Sequence, residues 1–385
     1  MLSKISGSIN FDNEFLYLVS INISQKLRFQ QMQSSPLPYF SGKLPTKLKD
    51  EGTRLIISAD DAIAHMMQLF RGLGCTDSTA QAVAQHLADA SLCGVESHGV
   101  MRCLQYAEQF QSGYMDAAAT PILTTDIGNN NTINGNGGIG IPAMTMAYQH
   151  ATKAARQNGI TMLAIRNLGH TGRHGAFADL AADDGVMTIL IGGGNRATWR
   201  QVAPYGGAEA KLPTNPYCIG FPGGDRGSVV LDFATSKIAG GWIYAAQSAG
   251  ASLPPDCVID KDGRPTTNPD DYFDDGAILP AGEQKGYALA LMAELIAEAL
   301  LGEVETEANW LLIAIDTQRF QEASRLKQMA EAICDDMRQC PPALGFDQVE
   351  IPGERERNHR KQANNMIAIP EKTWADILKL KESFS

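Results

Sequence analysis

The middle of the chain, between residues 161 and 231, contains short strand-forming runs that are separated by turns rather than by regular βαβ alternation. A doubly wound parallel sheet needs a helix in each connection between neighbouring strands. The pattern therefore favours an α+β lobe over a doubly wound sheet. The predicted strands are Thr161–Ile165, Val186–Ile191, Tyr217–Phe221 and Val229–Leu231.

One glycine motif suggests the opposite, a doubly wound dinucleotide-binding fold. Residues 135–140 match G-x-G-x-x-G, and a helix is predicted directly after them, over Pro142–Gln157. A dinucleotide-binding motif of this kind also needs a strand before it and an acidic residue about 20 positions after it. The preceding residues, GNNNTING, are typical of a turn, and there is no acidic residue between Asp126 and Asp179. The sequence thus predicts a non-Rossmann protein, in which the glycines let a turn pack beneath the helix.

Two helices are predicted before residue 94. Ser58 followed by Asp61 resembles a capping box, and Gly74 ends the helix that it begins. A second helix begins near Asp77 and extends to about Cys93. A helix end holds a side chain in a fixed direction, so the residues after Cys93 lie where a functional group is well positioned.

The segment that follows, GVESHGVMR, places His98 four residues before Arg102. An imidazole exchanges a proton near neutral pH, and a guanidinium binds a carboxylate through two parallel hydrogen bonds. The pair suits a small substrate with a carboxylate beside a carbon that gains or loses a proton. Taken alone, His98 is equally consistent with an ordinary surface or capping histidine.

A second histidine segment, RNLGHTGRHG, contains His170 and His174 four residues apart. That spacing suits two metal ligands on one helix face, but the glutamate of H-E-x-x-H is missing and three glycines interrupt the helix. We therefore expect no metal site. The segment favours a histidine that handles a proton or contacts a cofactor.

Lys285 lies in a glycine turn before a long apolar helix predicted as buried, Ala288–Leu301. A lysine in such a turn can bind a phosphate or a carboxylate, or it can simply be solvated.

The net charge limits the partners that this protein can bind, and the cysteine pattern indicates its compartment. The net charge of -11 argues against nucleic acid and against an anionic membrane surface as partners. No apolar run approaches the roughly 20 residues that span a bilayer. The seven cysteines are scattered without a C-x-x-C pair, which favours reduced thiols and a cytoplasmic protein.

Residues 1–53 differ from the rest of the chain in being rich in Ser, Gln, Lys and Asn. The segment lacks the cleavage pattern of a secretory signal, and its Asp12 and Glu14 are unusual for a transit peptide. We therefore predict a poorly ordered N-terminal extension, with a targeting segment as the alternative.

From residue 55 to residue 355 the chain resembles the malate/L-lactate dehydrogenase family of the second type, which includes ureidoglycolate and sulfolactate dehydrogenases and 2,3-diketogulonate reductase. The matching motifs are SHGVMR, NGNGGIG, RNLGHTG, VAPYGG, PTNP, LDFATS, LPPDCVIDKDGRPTTNPDD and GEQKGYALALMAELIAEALLG. The sequence departs from the family pattern in its N-terminal extension. It departs again in a shortened segment after Leu301, which leaves the substrate open.

The resemblance implies a non-Rossmann NAD(P) oxidoreductase that forms a homodimer. With the strand pattern, it predicts a helical lobe (54–125 with 276–385) and a strand-rich cofactor-binding lobe (126–275) with a mixed, largely antiparallel sheet. By position, His98 resembles the family's proton donor or acceptor and Arg102 its carboxylate-binding residue, while His170 lies where some members have the proton acceptor. The implied cofactor contacts are Ser228, Val229, Val230, Leu231, Asp232, Phe233, Ala234, Gln284, Lys285, Gly353, Glu354 and Arg355.

We therefore predict hydride transfer between NAD, or alternatively NADP, and the α-carbon of a small 2-hydroxy or 2-oxo carboxylic acid. His98 is expected as the principal acid or base. The other histidine and Asn215 are expected to polarise the carbonyl. The alternatives are reduction of a cyclic imino acid and a catalytically silent binding protein.

Overall fold

The computed structural model describes residues 53–125 and 131–384. The predicted N-terminal extension, residues 1–53, lies outside the described residues apart from Thr53. Within the described part, residues 53–340 and 349–384 belong to one compact unit. The segment 341–348 belongs to a second unit and contains a turn in which Phe346 donates its backbone N–H to the Ala343 carbonyl.

The strands are β1 Arg54–Ser58, β2 Ile122–Thr125, β3 Asn131–Gly138, β4 Ile160–Leu168, β5 Val186–Gly194, β6 Tyr217–Gly224, β7 Gly227–Phe233, β8 Val258–Ile259, β9 Pro265–Thr266, β10 Ala277–Ile278, β11 Ala308–Asp316 and β12 Met366–Pro370. Seven of them form a sheet at the centre of the compact unit, in the order β2-β3-β4-β11-β5-β6-β7. In this sheet β3 and β4 pair in parallel, and every other described pair is antiparallel. This confirms the predicted α+β class with a mixed, largely antiparallel sheet.

The first helix begins as its sequence predicts, because the Ser58 side chain accepts from the Asp61 N–H at 3.0 Å. Its end is followed by Gly74 with φ +97°, a conformation that favours glycine. The helices are α1 Ala59–Gly72, α2 Asp77–Leu92, α3 Arg102–Gln111, α4 Gly140–Asn158, α5 His174–Asp183, α6 Gly240–Ala249, α7 Pro269–Phe273, α8 Gln284–Glu294 (continued by a π-helical turn, Leu295–Leu300), α9 Ala323–Arg338, α10 Glu354–Ala363 and α11 Glu371–Glu382.

The prediction of a turn before the glycine motif is wrong for residues 131–135, and its first three residues, 128–130, lie outside the described residues. Residues 131–138 form β3, and β3, α4 and β4 make a single βαβ unit with a parallel pair. A Cβ on Gly135 would lie 2.7 Å from the Asn167 carbonyl oxygen, and one on Gly140 would lie 2.5 Å from the Gly169 carbonyl oxygen. The glycines therefore allow close packing against the residues that precede His170.

The ends of the compact unit meet in a second, two-stranded sheet in which β1 pairs with β12. Helix α1 packs against α2 and α11, and the Phe70 and Phe110 rings of the core are 6.5 Å apart. Strand β11, from the segment predicted for the helical lobe, lies between β4 and β5. The boundaries of the two lobes stay a prediction.

Six cysteines are buried and form no disulfide: Cys75, Cys93, Cys103, Cys218, Cys257 and Cys334. Among the described residues, the helices are too short or too polar for any of them to span a bilayer.

Candidate active site

The turn that carries His98 is held between α2 and α3. It is a 3-10 turn, Glu96–His98, in which the His98 N–H donates to the Val95 carbonyl. The Ser97 hydroxyl oxygen lies 3.0 Å from Nδ1 of His98. The half-buried imidazole is thus oriented by a neighbour that can either donate or accept a hydrogen bond.

His170 lies beside His98, with ring centroids 5.5 Å apart. Its Nδ1 is 3.2 Å from the Gly172 N–H, which can only donate, so Nδ1 is the unprotonated acceptor. The Tyr106 hydroxyl therefore also donates to this Nδ1, at 2.7 Å. The proton of the neutral His170 ring consequently lies on Nε2, where it is available as a donor.

The electrostatic setting keeps both imidazoles neutral at pH 7. Enclosure by the protein lowers the pKa of His98 and of His170 well below 6.5, and the Arg102 charge acts in the same direction. Burial raises the pKa of Tyr106, so its hydroxyl stays protonated and remains a donor. The site thus holds one neutral ring that can accept a proton and one fixed as a donor.

Arg102 begins α3 with part of its guanidinium engaged locally. Its Nε donates to the Ser97 carbonyl at 2.5 Å and Nη1 donates to the Gln105 side chain. In the described part of the chain Nη2 has no hydrogen-bond partner. The neighbouring helix presents Gly241, where a Cβ would lie 3.7 Å from Nη2. Arg102 thus keeps donors free beside the two histidines, as carboxylate binding requires.

The predicted residues His98, Arg102 and His170 thus come together, and Tyr106 and Glu307 join them although sequence reasoning did not find either. Burial raises the pKa of Glu307 to about 7, against the opposing influence of Arg102. Tyr106 follows Arg102 by four residues, a helical spacing that could have revealed it. Glu307 carries no comparable local signal.

Two other polar residues of the sequence analysis, Asn215 and His174, have hydrogen-bond partners of their own. Asn215 is buried, and its amide donates to the Ala290 carbonyl and to the Glu294 carboxylate, both at 2.8 Å. Its oxygen accepts from the Gly194 N–H at 3.4 Å. The three contacts tie β5 to α8, and the catalytic role of Asn215 stays a prediction.

His174 begins α5, and its Nε2 lies 2.7 Å from the Thr171 hydroxyl. Its Nδ1 is 3.9 Å from the Asp232 carboxylate, which accepts from the Gly175 N–H at 2.7 Å. Asp232, one of the predicted cofactor contacts, therefore links β7 to the start of α5. Among the described residues, no group of three or more His, Cys, Asp or Glu side chains could hold a metal ion.

Residues next to two of the predicted cofactor segments contact the third segment, on β7. The Val230 N–H, in the middle of β7, donates to the Pro352 carbonyl at 3.1 Å, and a Cβ on Gly353 would lie 3.4 Å from Val230. Just beyond the C-terminal end of β7, the Ala281 N–H donates to the Thr235 carbonyl at 2.8 Å. Gly353 therefore lies beside the middle of β7, and the residues that precede Gln284 lie beside the turn that follows the strand.

Gln284 and Lys285 are exposed in the first turn of α8, which begins without a side-chain cap. Lys285 therefore lies in the helix itself, and not in a turn before it as the sequence predicts. The prediction that this helix is buried is also wrong, because several of its apolar side chains are exposed in the single chain. Its exposed apolar residues are Leu289, Leu291, Met292, Leu295 and Leu300.

Two buried histidines outside the site predict a loss of stability in acid. Burial, followed by the Arg173 charge, lowers the pKa of His86 to about 3, and burial also lowers that of His174. The unfolded chain takes up protons near pH 6.5 that the folded chain refuses, so stability falls as the pH drops below 6.5. His86 contributes up to about 1.4 kcal/mol per pH unit in this window, and His174 acts in the same direction.

Denaturant unfolding at pH 7.5, 6.5 and 5.5 measures this effect. The variant His86→Gln keeps an acceptor for the Arg173 N–H, which lies 2.8 Å from Nε2 of His86, and should have a shallower slope. Stability that is constant or rises toward pH 5.5 would contradict the assignment.

Comparison with known proteins identifies the class. The sequence profile of the malate/L-lactate dehydrogenase family matches residues 57–378. A Delta(1)-pyrroline-2-carboxylate/Delta(1)-piperideine-2-carboxylate reductase of Pseudomonas putida is 30% identical over 330 residues, covering 82% of this chain and 94% of that protein. An L-sulfolactate dehydrogenase of Methanocaldococcus jannaschii is 31% identical over 321 residues, covering 80% and 91%. The solved structure of a sulfolactate dehydrogenase from M. jannaschii superposes with a TM-score of 0.76 at 28% identity, covering 86% of this chain and 97% of that one.

The protein is therefore an oxidoreductase of the hydroxy-acid dehydrogenase class. More particularly, it belongs to the malate/L-lactate dehydrogenase family, which confirms the resemblance seen in its sequence motifs.

Proposed function

We propose that this protein transfers a hydride between a nicotinamide cofactor and the α-carbon of a small 2-hydroxy or 2-oxo carboxylic acid. The observation that carries the proposal is the free Nη2 of Arg102 beside two neutral imidazoles, His98 and His170. A carboxylate bound by Arg102 brings its neighbouring carbon to the histidines, because the two groups are adjacent in any 2-oxo acid.

In this proposal the three side chains have separate tasks. Arg102 binds and orients the carboxylate. His170 donates its Nε2–H to the carbonyl oxygen and polarises it, since Nδ1 already accepts from Gly172 and Tyr106. His98 exchanges the proton of the substrate oxygen, because within the described ranges its Nδ1 contacts the Ser97 hydroxyl alone, which can donate or accept, and Nε2 is left for the substrate.

The donors near β7 fit a dinucleotide. Lys285 and the uncapped first turn of α8 supply a cation and backbone N–H groups, which suit phosphates. Gln284 and Arg355 add polar donors. A bound nicotinamide would supply or accept the hydride. We propose NAD as the cofactor, with NADP as the alternative.

We further propose a cytoplasmic homodimer. The exposed apolar side chains of α8 support the dimer, since a continuous apolar face of this kind is typical of a subunit interface. Sedimentation equilibrium would show a dimer. Leu291→Glu on this face would shift the mass toward the monomer, whereas Leu180→Glu, at an exposed site on α5, would leave it unchanged.

Steady-state assays with a panel of substrates test the reaction. We expect reduction of at least one 2-oxo acid with NADH, and slower or absent reduction of Δ1-piperideine-2-carboxylate if the ketone is the natural group. Turnover of the cyclic imine alone would establish the imino-acid reductase instead. The absence of any turnover would favour the silent binding protein, and a more than about tenfold preference for NADPH would overturn the choice of NAD.

A further inference from the structure

Besides its histidines and its arginine, the site has a carboxyl group, that of Glu307, which immediately precedes β11. Its backbone is fixed on both sides: its N–H donates to the Leu168 carbonyl at 3.3 Å, and its carbonyl accepts from the Asn195 N–H at 3.0 Å. The Thr306 hydroxyl donates to the same Leu168 carbonyl at 2.6 Å. The backbone of Glu307 is therefore held against Leu168, which ends β4 two residues before His170.

The Glu307 side chain has an unsatisfied polar atom. Its Oε2 is buried and has no hydrogen-bond partner in the described part of the chain. Its carboxyl group is close enough to Arg102 and Tyr106 for the charges to act on one another. Among the described residues no ion pair joins Glu307 to Arg102, so the carboxyl group is near the carboxylate-binding arginine without being neutralised by it.

A buried carboxyl oxygen without a partner is costly, and a ligand that donates a hydrogen bond would remove that cost. A second acidic group on the ligand would have the opposite effect, because it would face a carboxyl group in a half-buried position. Burial raises the pKa of Glu307 to about 7, so the carboxyl group is partly ionised at neutral pH. Its ionisation therefore changes with the polar group that a ligand places beside it.

We propose that Glu307 is a specificity residue that selects α-carboxylates whose second polar group is an N–H donor and rejects those whose second group is an acid. This inference rests on the proposed function for the identity of the site. It assigns the substrate class as 2-oxo or 2-hydroxy acids bearing an amide, ureido or similar N–H group, and it excludes the dicarboxylate and sulfonate classes.

Oxaloacetate and 2-oxosuccinamate test the proposal directly, because they differ only in an acid against an amide at the far end. The wild-type protein should reduce the amide with at least tenfold higher kcat/KM. Glu307→Gln should lower this ratio at least tenfold, mainly by gaining activity on oxaloacetate. Glu307→Asp, which keeps the charge, should retain the discrimination. Glu305→Gln, which removes an exposed charge two residues away, should leave the ratio unchanged.

Binding of the unreactive analogues succinamate and succinate, measured by calorimetry, separates the two proposals. If turnover is absent but Glu307→Gln changes the ratio of the two dissociation constants, the proposed function fails and the selectivity of the site stands. If turnover is present and both ratios are unchanged in a folded Glu307→Gln variant, the role of Glu307 is overturned and the proposed function stands. Wild-type preference for the dicarboxylate in both assays would also overturn the role of Glu307.

Discussion

Replacing His98 with alanine is expected to lower kcat by about 10²- to 10⁴-fold, which is the usual contribution of a general acid or base. The reason is geometric: His98 has one ring nitrogen beside Ser97 and the other left for the substrate. Because the pKa of His98 lies well below 6.5, the neutral ring is ready to act as a base in hydroxy-acid oxidation. The acidic limb of the wild-type profile in that direction should therefore fall below pH 6.5.

The control is His170→Gln, which keeps an N–H donor near the carbonyl position. Its loss in kcat should be smaller, and both limbs of the pH–rate profile should remain. In His98→Ala one limb should disappear. If instead the His170 variant loses the limb and the greater part of kcat, the two roles must be exchanged.

Replacing Arg102 with lysine should raise KM for a 2-oxo acid by roughly 10- to 150-fold, which corresponds to about 1.5–3 kcal/mol for a hydrogen bond to a charged group. A lysine ammonium is a point charge and cannot form the two parallel hydrogen bonds of a guanidinium. The change in kcat should be much smaller than the change in KM, provided that the carboxylate interaction is similar in the ground and transition states.

Arg200→Lys, at an exposed position, is the matched control and should leave KM unchanged. Unchanged kinetics in a folded Arg102→Lys variant would show that the carboxylate binds elsewhere.

The features of the fold and of the site that the sequence predicts correctly are those that depend on residues close together in the chain. Ser58 and Asp61 predict a helix start because capping depends on residues three apart, and the structure has that hydrogen bond. His98 and Arg102 stand four apart around the start of α3, so their proximity follows from local geometry. The class of fold could also be predicted, because strand and turn spacing reports how strands are connected.

The parts that sequence reasoning missed depend on contacts between distant segments. Glu307 reaches the site only because β11 pairs between β4 and β5, a register that no local pattern encodes. The Asn- and Gly-rich residues before Gly135 predict a turn, but in the structure residues 131–134 pair with β2 and β4 and form a strand. The apolar residues of α8 suggested burial, since hydrophobicity alone does not distinguish a core helix from one that is exposed in a single chain.

Transfer of isotope from NADH that carries deuterium at the transferred C4 position tests the central claim most directly. With a 2-oxo acid as substrate, the account predicts that deuterium appears on the α-carbon of the 2-hydroxy acid product, with one label per NADH oxidised. Label that stays on the cofactor or is released to solvent would contradict direct hydride transfer to the carbon beside the carboxylate.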